Sequence, residues 1–135
     1  MQNRFSLDLN DAKRIAEAAR KTAESNEWNV VISILDEGGH LIYLERMDGT
    51  QKGSIVVSQE KAKTAYLFNR PTKKLEEVIS GGRTVMLKLT GSTPIEGGLP
   101  LIYKNQLVGA IGISGVQSFQ DGIIAQAGAD FVAQL

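Results

Sequence analysis

Apolar and polar positions repeat along this chain with two different periods, and the places where the period changes mark its elements. From Asp8 or Asn10, either a good N-cap, the run DAKRIAEAARKTAESNE sets Ala12, Ile15, Ala16, Ala19 and Ala23 at helical spacing with charges opposite. Alanine on that face buries little area but lets the helix lie close to a sheet, and Ser25-Asn26 marks its end. VVISILD, residues 30–36, is continuous and β-branched; Glu37-Gly38-Gly39 supplies a turn, and HLIYLER, residues 40–46, returns as the partner strand. After the Asp48-Gly49 turn the helical period resumes. SIVVSQEKAKTAYLFN predicts a helix from Ser54 that ends before Arg70-Pro71, and a short one follows from Thr72, as N-cap, to Gly81-Gly82. Residues 83–93 fit either a short strand or a covering loop. A second hairpin follows Pro94, turning at Lys104-Asn105, and SFQDGIIAQAGADFVAQL predicts a terminal helix with Ile124, Ala127, Gly128, Phe131, Val132 and Leu135 on one stripe.

Helix, hairpin, two helices, hairpin, helix is an α+β layer order rather than alternating βαβ units. In the last strand a period of two sets Leu107, Gly109, Ile111 and Ile113 on one face and Val108, Ala110, Gly112 and Ser114 on the other. The second face is nearly bare. Such a face calls for close approach of a helix, a partner subunit or a flat ligand. Gly109, Gly112 and Gly115 have GxxGxxG spacing within a strand, which is not the dinucleotide fingerprint, and no GK[ST] of a P-loop occurs.

At 135 residues the chain fits one domain, 1–135, with enough core to fold unaided. Fifteen basic residues balance fifteen acidic ones, which disfavours nucleic acid and anionic membranes as partners. The absence of cysteine removes thiolate chemistry and suits a reducing compartment, and no apolar run approaches a membrane span; the expected location is the cytoplasm. The single histidine, His40, reads as a solvated residue at a turn unless a ligand recruits it. Lys61 stands out because it occupies the stripe of Val57, Thr64 and Phe68. It either snorkels or meets an anion, for which Asp36, Asp48 or a ligand carboxylate are candidates. With Arg46 it could clamp a carboxylate. An acid–base reading, an isomerase or lyase on a hydroxy or oxo acid, takes Asp36 as base with Arg46 or Lys61 clamping the carboxylate.

VVISILDEGGHLIYLERMDG at 30–49, Ser54 with KAKTAYLF at 61–68, GGLPLIYKNQLVGAIGISG at 97–115 and QDGIIAQAG at 120–128 resemble, in that order, the GlcG/HbpS family, also found as the C-terminal domain of PduO-type corrinoid adenosyltransferases. The resemblance implies a profilin-like antiparallel sheet of about five strands with helices on its faces. It also implies a homo-oligomer and a small-molecule binding module for haem or a corrinoid-related tetrapyrrole, accessory to glycolate, propanediol or glycerol use; a structural accessory subunit is the other non-enzymatic reading. Arg46, Lys61, Thr64, Phe68, Gly97 and Gly98 are the candidate ligand-binding residues. If haem binds, its axial donor is His40, Met47, another Met, Tyr or Lys, or a weak oxygen donor. Small-residue faces on three helices and the last strand favour an interface between copies that includes Gly97, Gly98 and the second hairpin or the helix from Ser54 to Asn69.

Overall fold

In the computed structural model, which describes residues 1–135, the order is α1 (Leu9–Ser25), β1 (Val31–Leu35), β2 (Leu41–Arg46), α2 (Ser54–Phe68), α3 (Thr72–Ser80), a 3-10 helix (Thr84–Lys88), β3 (Gly98–Tyr103), β4 (Gln106–Ser114), α4 (Ser118–Phe131) and a final 3-10 turn (Val132–Gln134). The strands form one antiparallel sheet in the order β2-β1-β4-β3, with α1 and α4 on one face and α2 on the other. No helix is long and apolar enough to cross a membrane.

Asp8 starts α1 through a reciprocal cap in which its carboxylate accepts from the Asp11 backbone and Asp11 accepts from its own. The alanine stripe of α1 is fully buried. It lets α1 approach α4 closely: a side chain on Gly128 would sit 3.4 Å from the Ile15 carbonyl and 3.5 Å from the Ala19 side chain. Ile15, Ile32, Ile34, Leu101, Ile111, Ile113 and Ile124 fill the core beneath, each contributing about 1.5–3 kcal/mol by burial.

The bare face of β4 receives α2. A Cβ on Gly112 would overlap the Ser58 carbonyl and lie 2.9 Å from the Ala62 side chain, and one on Gly98 would overlap the Lys61 carbonyl. Two serine pairs stitch the same seam, Ser33 to Ser58 at 2.7 Å and Ser114 to Ser54 at 3.0 Å. Of the three things that could approach that face, it is the chain's own helix that does so.

Three expectations are corrected. The sheet has four strands rather than about five, because residues 83–93 form the 3-10 helix and a loop. The outer edge of β3 offers a fifth strand little to pair with: Gly98 N donates to Thr72 Oγ1 at 2.9 Å, and Pro100 has no N–H. Thr72 therefore spends its hydroxyl on β3, and Pro71, not Thr72, is the N-cap of α3. Finally, Val108 does not share a face with Ala110. The β3–β4 register shifts between Leu101 and Ile102, which pair with Gly109 and Leu107, so Val108 is the extra residue and joins the core of Ile111 and Ile113.

Candidate functional site

Two clefts lie at opposite edges of the sheet, separated by three strand spacings of about 4.8 Å, so roughly 14 Å or more. The first is built on the β1–β2 turn. Asp36 Oδ1 accepts from Gly38 N at 2.9 Å and His40 N at 3.0 Å, which closes the turn. Gly39 takes φ +79° and lies so near the Tyr66 ring that a Cβ there would be 2.6 Å from it. From α2, Lys63 Nζ donates to the Gly39 carbonyl at 3.1 Å and the Tyr66 hydroxyl to the Glu37 carbonyl at 2.9 Å. The turn is thus clamped onto the helix. His40 is exposed on it, its imidazole without a hydrogen-bond partner, at a cleft of about 400 Å³ whose walls include Leu35, Leu41 and Val56.

The second cleft, about 350 Å³, opens between α3, α4 and the start of β3, with Gly97, Gly98 and Leu99 at its base. Behind the two glycines is the buried Lys61. Its ammonium, 2% exposed, donates to Asp121 Oδ2 and to the Ile113 carbonyl, each at 3.0 Å, and Asp121, also 2% exposed, accepts from Val116 N at 3.2 Å. Gly97 holds φ +133° there, and a Cβ would stand 2.7 Å from the Ile113 carbonyl and 2.9 Å from the Lys61 ammonium. Burial pushes the Asp121 carboxyl up while the Lys61 ammonium pulls it down. Lys61 therefore neither snorkels nor meets Asp36 or Asp48; its partner is Asp121. That residue carried the same signal as Lys61, a charge on the apolar stripe of its helix with Ile124, Ala125 and Gly128 at i+3, i+4 and i+7.

The remaining candidates are dispersed. Arg46 is exposed at the far end of β2 and forms no ion pair. Asp36, Arg46 and Lys61 share no cleft: the first closes a turn, the second faces solvent and the third is sealed in the interior. Thr64 is buried, donating to the Glu60 carbonyl at 2.8 Å and accepting from Thr93 N at 2.7 Å, so it holds the 91–93 loop on α2. Phe68 is half-buried at the last turn of α2. Met47 lies seven residues beyond His40, about 23 Å in extended chain, and packs against the core.

Residues 7–130 match the family model described as haem degrading protein HbpS-like. GlcG of Escherichia coli is 40% identical over 114 residues, covering 84% of this chain and 85% of that one. The structure is similar to that of a Streptomyces reticuli HbpS double mutant, at 28% identity and TM-score 0.87 over 98% of this chain and 91% of the other. It is also similar to PduOC in its haem complex, at 28% identity and TM-score 0.84 over 96% of each chain.

Proposed function

Because the chain belongs to the HbpS-like family, we propose that it is a haem-binding module and that His40 is the axial donor. The observation that carries the placement is the only imidazole of the chain, unbonded and exposed on a clamped turn at the mouth of a cleft where Leu35, Leu41 and Val56 share the walls with Gln59, Glu60 and Lys63. The donor set fits. Imidazole nitrogen is a good iron ligand, Leu41 and Val56 offer exposed apolar surface to a macrocycle, and the Lys63 ammonium has donors left for a propionate after its bond to Gly39. Bound haem would supply a redox-active iron; the protein's part is to position it through the turn that Asp36, Lys63 and Tyr66 hold. Titration of the apoprotein with haemin, followed at the Soret band, is expected to saturate, and His40→Ala to weaken binding at least about tenfold, roughly 1.4 kcal/mol. An unchanged titration in a folded His40→Ala protein would refute the placement, and a non-saturating one in the wild type would refute haem binding itself.

We also propose a homo-oligomer. Leu67 is exposed near the end of α2, and Val85 and Leu87 are exposed on the 3-10 helix that packs on α3, apolar surface that a monomer leaves in water. Light scattering at micromolar concentration should return a multiple of 14.6 kDa, and a monomer mass would sink the idea.

A further inference from the structure

The cleft beside Gly97 and Gly98 has a character of its own. Its α4 wall shows two large apolar side chains one turn apart, Phe119, 54% exposed, and Ile123, 47% exposed, with Leu99 beside them. Lys73 and Lys74 line the α3 side, and neither ammonium has a hydrogen-bond or ion-pair partner in the chain. The Glu96 carboxylate is likewise unpaired. It lies across Gly122 of α4, where any side chain on that glycine would overlap it. Glu77, one turn after Lys73, adds a second negative charge.

A simple organic anion would be drawn by the lysines and repelled by Glu96 and Glu77, and a simple amine would meet the reverse; a zwitterion answers both poles, and an apolar body answers the wall. At about 30 Å³ per water-sized volume the space takes on the order of a dozen non-hydrogen atoms. We propose that this cleft binds an α-amino acid with a large apolar side chain, its carboxylate toward Lys73 and Lys74, its ammonium toward Glu96, and its side chain on Phe119, Ile123 and Leu99. This site is independent of the His40 cleft and of haem.

L-phenylalanine, 3-phenylpropionate and phenethylamine, titrated separately into ¹⁵N-labelled protein, test it. L-phenylalanine is expected to shift the amides of Gly97, Gly98 and Gly122 saturably. Each control, lacking one charge, should bind about fivefold more weakly, the scale of one exposed ion pair. Lys73→Gln with Lys74→Gln should bring L-phenylalanine down to the level of phenethylamine, while Glu96→Gln should abolish its advantage over 3-phenylpropionate. His40→Ala should leave all three titrations unchanged. Equal binding of the three probes, or no saturable shift at these glycines in the wild type, would overturn the proposal.

Discussion

At the β2 edge the cleft beside His40 holds the chain's one imidazole but owes its shape to a turn; at the β3 edge the cleft beside Gly97 has deeper anchorage and no imidazole, thiolate or methionine. The first is fastened from outside, by Lys63 and Tyr66 reaching from α2 to backbone carbonyls. The second is fastened from inside, by a buried ion pair that ties α2, β4 and α4 together directly behind its glycines. A metal ligand can sit on the exposed turn because its ring is free, whereas the inner pair is buried out of reach of any ligand. The difference teaches that the two anomalies of the chain, a lone histidine and a lysine on an apolar stripe, do separate kinds of work: the histidine is available and the lysine is consumed.

The largest effect is expected from breaking the inner fastening. Lys61→Met leaves Asp121 buried without its partner, and loss of one member of such a pair costs about 3–5 kcal/mol. Chemical denaturation should show it. With the ammonium gone, nothing charged opposes the burial that raises the Asp121 carboxyl, so its folded-state pKa lies further above the unfolded value. The variant is then most stable below the ordinary carboxylate range and loses stability as pH rises through the folded pKa, so the deficit relative to wild type narrows on acidification. Adding Asp121→Leu should recover much of the loss, since an apolar replacement of a whole buried pair is often neutral or better. A Lys61→Met protein within about 1 kcal/mol of wild type at neutral pH would show that the pair is not the fastening.

His40→Ala stands next. It should weaken haemin binding at least about tenfold and leave stability within about 0.5 kcal/mol, because the ring is exposed and bonds nothing. The same variant that weakens one cleft is thus expected to spare the other. Arg46→Ala, at the far end of β2 and with no side-chain hydrogen bond or ion pair, is the control that should change neither.

The hydrophobic periods carried most of the fold. Both hairpins, the four helices and the turn at Lys104-Asn105, where Asn105 takes φ 65°, follow from local pattern and turn chemistry. What local pattern could not carry was anything settled across the sheet. Thr72 looks like a cap until β3 is known to pass its hydroxyl, and the parity of Val108 depends on a register shift against Leu101. The site was legible to the same degree. His40 and Lys61 stood out as single residues in the wrong company, but the choice of Asp121 over Asp36 or Asp48 required the depth of α4 against α2, sixty residues away in sequence. Thr64 and Arg46 shared the helix stripe and strand end expected of ligand contacts, yet one is spent on a loop and the other faces water.

Gly122 should also have a small effect on stability, and there the expected sign is reversed. Gly98 and Gly112 face backbone atoms of α2, so a methyl group at either must displace a helix. At Gly122 the obstacle is the far end of the Glu96 side chain, which can swing aside. Gly122 is inside α4, where alanine is favoured over glycine by up to about 1 kcal/mol. Gly122→Ala should therefore leave thermal stability equal or raise it by a few degrees in a domain of this size. The cost falls on the cleft: with its carboxylate moved off α4, Glu96 no longer faces a ligand ammonium, and L-phenylalanine should lose its advantage over 3-phenylpropionate as it does in Glu96→Gln. Haemin binding at His40 should be untouched. A Gly122→Ala protein that unfolds would mean that Glu96 is held in place, and its carboxylate would then belong to the inner fastening rather than to the open cleft.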